Sequence, residues 1–295
     1  MQLVCPLGAA RRTVRTGLAG LFAGDRFPEE QYNEPAGDPG LFGPDSVTWT
    51  VHADATMFVG GIAALMLQSL HPLAAAGVAD HSNYRTEPFQ RLSRTGSFVA
   101  ATTYAATPVA ESVIATVRGV HEHVKGTAPD GTPYSAADPE LLRWVHVAEV
   151  TSFLRAHRRY HPFPLRGDDL DRYYAETAVV ARKLGATDVP TSRQAISAYL
   201  KDMRPDLEAG AHAQEMLAFL RQPMNRDPVT RFVHGLFIEA AVGLLPHWAQ
   251  ELHGLHVSTV DDLRVRPLTW TVLEGLRLAL GRSPVLEAAK RRAAG

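Results

Sequence analysis

Apolar residues recur along this 295-residue chain at three- and four-residue intervals, and no segment alternates with period two for long enough to define a strand. The pattern predicts an all-α fold. After a short N-terminal helix, residues 27–44 are rich in Pro, Gly and Asp and suit a loop that wraps the surface. Asp45-Ser46 supplies an N-cap for a helix running through Trp49, Phe58 and Leu65 to Leu70. Within it, Gly60-Gly61 costs helix stability, which implies either a tight helix crossing or room for a flat cofactor. Pro72 opens a short helix to Val78, and His81 to Pro88 reads as a loop. A helix entered at Pro88 ends before Pro108, and another runs from Val109 to Val124 with Gly126 as its stop. Thr127 to Asp138 is turn-rich, with Asp130-Gly131 at its tip.

Asp138-Pro139 starts the next helix, whose stripe of Leu141, Leu142, Val145, Ala148 and Phe153 carries it to about His157. Asp168-Asp169 and Thr191-Ser192 cap two further helices, the first closed by Gly185. Helices over Glu208–Leu220, Val229–Leu252 (kinked at Pro246) and Leu268–Leu280 follow, before a basic tail of Lys290, Arg291 and Arg292. Without internal repeats, residues 1–295 read as a single domain.

Composition narrows the function. Thirty basic against 31 acidic residues leave a net charge of −1, so no global basic field calls for nucleic acid. Cys5 is the single cysteine, which excludes an intramolecular disulfide and any cysteine-rich metal centre and fits a cytoplasmic setting. Arg11, Arg12 and Arg15 precede an apolar run too short and glycine-broken for a signal peptide. The uncharged run Ala55 to Ala79 could span a bilayer by length, but Gly60-Gly61, Gln68, His71 and Pro72 interrupt it. Two buried helices around a His71-Pro72 bend are expected instead of a stable membrane span.

Two stretches carry candidate chemistry. Arg91, Arg94 and Thr95 stand at i, i+3 and i+4, so two guanidiniums and a hydroxyl share a helical face that needs an anion, a polarised ligand or open water. The next helix offers His121 and His123, which point about 200° apart and cannot hold one metal together. Val117 and Val124 put His121 on an apolar face, while His123 has glycines at the corresponding positions and faces solvent. A satisfied core histidine and a metal ligand both fit His121 on these grounds. His146 has Glu149 at i+3, but the di-iron pattern of two Glu-x-x-His pairs is missing. His121-Glu122 lacks the second histidine of a zinc protease, since Lys125 stands at i+4. No dinucleotide fingerprint, P-loop or nucleophile elbow occurs. His52, His157, His161, His212, His234, His247, His253 and His256 have no partner spacing and read mostly as surface or cap residues.

Arg91-x-x-Arg94-Thr95, followed by Val117-Arg118-x-x-His121-x-x-Val124-x-Gly126, resembles the oxygenase family that includes the latex clearing protein, a rubber oxygenase, and the fungal MpaB oxygenase. Val59-Gly60-Gly61-x-Ala63-Ala64-Leu65, Ala76-Gly77-Val78-x-x-His81-Ser82 and Tyr134-x-Ala136-x-Asp138-Pro139 through Trp144-Val145-His146 are similar to blocks of the same family, covering roughly residues 45–205. Residues 1–44 then form an N-terminal extension and 206–295 the C-terminal helices. The resemblance implies a globin-like helical core holding haem b, with His121 as the axial iron ligand and Arg91, Arg94 and Thr95 on the distal side; His146 then packs near the cofactor or bonds a backbone carbonyl. It further implies dioxygen and an apolar small molecule, such as an isoprenoid or alkene, as reactants.

Two departures matter. Where the latex clearing protein has a lysine able to reach the iron, this chain has Arg94, which has no lone pair to give. A five-coordinate or water-bound resting iron follows, with Arg94 donating to dioxygen or pairing with a haem propionate. The rubber oxygenase's glutamate ahead of the arginine helix is also missing, since Leu73 to Gly77 is uncharged, and Asp80 or His81 stand in for it only if they do not cap a loop. Other outcomes left open are a haem protein with a different tailoring or sensing role and a cofactor-free helical interaction protein. The oligomeric state stays open too.

Overall fold

The computed structural model describes residues 30–223 and 227–295, without the side chains of Glu30, Gln31, Pro88, Phe89, Arg91 and Leu92. The expected N-terminal helix, the arginines at 11, 12 and 15 and Cys5 lie outside the described residues. The fold is all-α, as the periodicity predicts, apart from one small hairpin. In chain order, α1 is Glu30–Asn33, α2 Val47–His52, α3 Thr56–Gln68, α4 Pro72–His81, α5 Pro88–Tyr104 and α6 Thr107–His121. Antiparallel β1 (Lys125–Thr127) and β2 (Pro133–Ser135) follow, with Gly126 opposite Tyr134. Next come α7 Pro139–Tyr160, α8 Asp169–Leu184, α9 Arg193–Asp202 and α10 Ala211–Arg221. The chain closes with α11 Pro228–Val242, α12 His247–Leu252, α13 Thr259–Leu280 and α14 Pro284–Ala293.

Caps place several of these boundaries. Ser46 Oγ accepts from Trp49 N at 3.2 Å, Asp138 Oδ1 from Glu140 N at 2.7 Å and Ser192 Oγ from Ala195 N at 3.2 Å. Gly185 ends α8 in the left-handed region at φ +116°, where a Cβ would be strained. Elsewhere the expected boundaries move. The helix expected from the Asp45-Ser46 cap to Leu70 is two helices, broken where the Asp54 carboxylate turns to meet Arg277 at 2.7 and 2.8 Å. The helix expected to reach Val124 stops at His121, because the backbone beyond Val124 is claimed by β1. Gly126 is therefore no helix stop. It passes so close to Tyr134 that a Cβ there would lie 2.5 Å from the phenol oxygen.

The strands escape the periodicity because each is only three residues long. Pro246 separates α11 from α12 instead of kinking one helix, and α13 begins well before Leu268 and carries Pro267 inside it. The expected basic tail is α14, capped by Ser283 and opened by Pro284.

The described residues fall into two compact units, the first comprising residues 30–55, 83–113 and 271–295 and the second residues 56–82, 114–223 and 227–270. In the first unit, Tyr32, Trp49, Ala101, Tyr104, Ala105, Ala288 and Ala289 form the core. Alanines dominate it, so polar bonds do much of the fastening. Arg292, 1% exposed, donates to the carbonyls of Tyr32 and Tyr104 at 2.9 Å and of Asp38 at 2.8 Å. Trp49 Nε1 donates to Thr103 O at 2.8 Å, and His52 Nδ1 bonds the Thr103 hydroxyl at 2.9 Å.

The second unit is organised on the crossing of α3 and α7. The helices run antiparallel: Gly60 lies against Phe153 and Ala156, whereas Gln68 O accepts from Trp144 Nε1 at 3.1 Å. Leu142 packs on Ala178, Ala181, Ala186 and Val189 around α8, and Leu141 packs with Ala76, Ala128 and Tyr134. Arg155 donates to Leu244 O at 2.9 Å and His253 bonds Met66 O at 2.9 Å, tying α7 and α3 to the chain around α12.

Among the described residues, no single helix is long and apolar enough to cross a membrane. Thr56–Gln68 and Pro72–His81 reach that composition only together, and they are bent by 109°.

Candidate functional site

His121 is the last residue of α6. Ile114 is buried, and Val117, His121 and Val124 are half-buried, so the imidazole shares the inward apolar face that its i−4 neighbour anticipates. Its Nδ1 atom is buried. His123 is exposed and donates through Nδ1 to Gly119 O at 2.8 Å. Of the two histidines, only His121 is therefore placed to meet an interior ligand.

The glycine pair of α3 divides the two roles left open by the sequence. A Cβ on Gly60 would lie 3.1 Å from Phe153 Cα, so this glycine serves a tight crossing. On Gly61 it would meet nothing within 4 Å, so this glycine faces space. Met57, Phe58, Ile62 and Leu65 share the half-buried side of α3 with Gly61, and the whole helix carries no charged residue. A wide strip of uncharged, incompletely covered surface results.

On α7, His146 and Glu149 sit one turn apart. Burial, followed by the charge of Arg182, holds His146 down to about 4, so the ring is neutral through the physiological range. Its Nε2 atom is buried and has no partner among the described residues. Burial alone pushes Glu149 up to about 7. Both side chains keep part of their surface accessible.

Arg94 and Thr95 are exposed on α5, and Arg91 lies on the same helix. These three belong to the first unit, whereas His121, His146 and Glu149 belong to the second. Asp80 and His81 turn out to serve the hairpin: Tyr134 donates to Asp80 Oδ2 at 2.6 Å, and His81 Nε2 donates to Lys125 O at 3.1 Å. Burial and this bond to Asp80 push the Tyr134 phenol up to about 12.

Several histidines read as surface residues are interior. His157 is fully buried and stacks on His161 at 4.2 Å between ring centres, and burial holds His52 down to about 3. Their lack of mutual spacing in sequence gave no sign of this, because helix packing and not local periodicity covers them.

No group of three or more His, Cys, Asp or Glu side chains able to hold a metal ion occurs among the described residues. A cavity of about 500 Å³ opens beside Tyr160, Ile238, Gly243 and Val265. Several of its charges are matched: Arg264 pairs with Glu239 at 2.8 Å, Asp262 with Arg159, and Asp261 with the Ser258 hydroxyl at 2.6 Å. None of the expected site residues lines it.

Comparison with known proteins agrees with the motifs. Two uncharacterized mycobacterial proteins, one from Mycobacterium bovis and one from Mycobacterium tuberculosis, are each 30% identical over 217 residues, covering 68% of this chain and 78% of the relative. No solved structure matches the chain. The model of the ER-bound oxygenase mpaB/B'/rubber oxygenase catalytic domain matches residues 49–274. By that match the chain, an all-α protein with an inward-facing His121 and an uncharged, open-sided α3, belongs to the mpaB and rubber oxygenase family.

Proposed function

We propose that this oxygenase-family protein works with haem b held by His121 and oxidises an apolar small molecule, an isoprenoid or alkene, with dioxygen. The observation that carries it is the placement of His121 on the inward apolar face of α6 within a chain of this family. A neutral imidazole in dry surroundings is the usual protein donor to haem iron.

The second unit suits the group. The open side of Gly61 and the uncharged strip of α3 offer apolar surface at low steric cost, and the unpartnered Nε2 of His146 is a polar atom that a bound molecule would satisfy. Haem would supply the activation of dioxygen. The second unit would supply the His121 imidazole to hold the group and an apolar lining that keeps water from the reacting molecule. Arg94 acts only as a cationic donor, since guanidinium has no lone pair for a metal.

The test is dioxygen uptake by haem-loaded protein offered linear terpenes and alkenes, with product analysis. Uptake that follows substrate and yields oxygenated product supports the proposal. A haem-loaded protein that consumes no dioxygen with any of them is a carrier or sensor instead.

A further inference from the structure

We propose that the cavity of about 500 Å³ in the second unit is a binding site for an alkyl carboxylate, its hydrocarbon chain on the apolar floor and its head at Arg221. The site shares no residue with the oxygenase function proposed above and does not rest on it.

A volume of about 500 Å³ lies within the range of small-molecule pockets, about 300–1,000 Å³. Gly235, Ile238, Glu239 and Val242 stand at i, i+3, i+4 and i+7, so α11 turns one face to the cavity. Ile238 and Val242 on that face are buried, as are Leu255, Val265 and Tyr160 on the other walls. They make a floor that suits a hydrocarbon chain. Gly235 leaves this face open, since a Cβ there would meet nothing within 4 Å.

The walls are held by the protein's own bonds. Gly254 follows α12 at φ +64°, Leu255 N donates to Gln250 O at 2.8 Å and His253 is bonded to Met66 O at 2.9 Å, which sets the turn from Gly254 to Val257. The Ser258 hydroxyl donates to Asp261 Oδ2 at 2.6 Å and fixes the entry to α13. His234 bonds the backbone of Leu220, which holds the end of α10, and Arg221 with it, beside α11.

The head group is chosen by what the rim leaves unengaged. Three carboxylates line the cavity, and each has a partner: Arg264 for Glu239, Arg159 for Asp262 and Ser258 for Asp261. With Arg159 counted, three arginines face these three carboxylates, so no net field favours either sign of ligand. Selection therefore falls to local bonding. Of the two lining arginines Arg264 is paired, whereas Arg221 has neither hydrogen bond nor ion pair among the described residues. A guanidinium presents parallel N–H donors that match the two oxygens of a carboxylate. An alkylammonium would find every lining carboxylate already engaged, and a plain hydrocarbon would leave the guanidinium unused.

Isothermal calorimetry on the purified full chain tests this, with octanoate, octan-1-ol and octylamine as probes. Octanoate should bind at one equivalent and more tightly than octan-1-ol, with octylamine silent. Arg221→Gln, a change at an exposed position, should weaken octanoate by about 10- to 100-fold, the range of a hydrogen bond to a charged group, and leave octan-1-ol unchanged. Gly235→Leu puts a side chain into the cavity and should abolish both. The proposal is overturned if the wild type binds no octanoate, if octylamine binds as tightly, or if Arg221→Gln binds octanoate as the wild type does. Octanoate binding undiminished in Gly235→Leu places the ligand elsewhere and overturns it as well. Should that variant fail to fold, the comparison of octanoate with octan-1-ol in Arg221→Gln decides alone.

Discussion

Replacing Gly60 and Gly61 by alanine, one at a time, turns the crossing of α3 on α7 into a number. Alanine is favoured over glycine inside a helix by about 1 kcal/mol, and both positions lie inside α3. At Gly61 that gain stands alone, because a Cβ meets nothing within 4 Å. At Gly60 the new methyl would lie 3.1 Å from Phe153 Cα and Cδ1 and 3.2 Å from Ala156 Cβ, and the Cα atom cannot move without moving α7. Overpacking of this kind costs about 1–3 kcal/mol, which cancels or exceeds the helix gain. Gly61→Ala should therefore be stabilised by about 1 kcal/mol, and Gly60→Ala should fall about 1–3 kcal/mol below it. For a unit of this size each kcal/mol moves the melting temperature by about 2–4 °C, so the two variants should separate by several degrees in thermal unfolding followed by circular dichroism. Gly60→Ala melting at or above Gly61→Ala would refute the close approach at Gly60.

Other consequences are equally open to measurement. The folded state holds the Glu149 proton to about 7 against an ordinary 4.5, so this group's contribution to stability is greatest below pH 4.5 and falls by about 3 kcal/mol as pH rises through 7. Urea titrations over that range should show Glu149→Gln lacking the fall, and parallel curves would contradict it. His146 works in the opposite sense: its ordinary 6.5 drops to about 4, so its stability is present above pH 6.5 and lost on acidification towards 4, a loss that His146→Gln should remove. Arg292→Met leaves three buried carbonyls without their donor and should cost about 3–5 kcal/mol by denaturant titration. Tyr134→Phe removes the bond to Asp80 and should cost about 1–2 kcal/mol.

The helical class was legible because α3, α7 and α8 bury long apolar faces, and their ends were legible because Ser46, Asp138, Ser192 and Gly185 act within one turn of sequence. Features set by distant partners were not. The break after α2 depends on Arg277 reaching Asp54, and Gly126 is governed by Tyr134 across the hairpin.

Among site residues, the inward face of His121 could be read from Val117 and Val124. Glu149 could not be valued from sequence, since a glutamate one turn from a histidine is ordinary on an exposed helix. Only its burial in the folded chain, across from the uncharged α3, makes it unusual. Asp80 and His81 were ambiguous for the converse reason, because their partners Tyr134 and Lys125 lie on the strands that periodicity could not reveal.

The most direct measurement is the absorption spectrum of protein expressed with haem supplied, for the wild type beside His121→Ala and His123→Ala. Ligation by His121 predicts a Soret band in the wild type and in His123→Ala that is lost in His121→Ala while the helical circular dichroism persists. A Soret band undiminished in His121→Ala, or absent from the wild type, would contradict it.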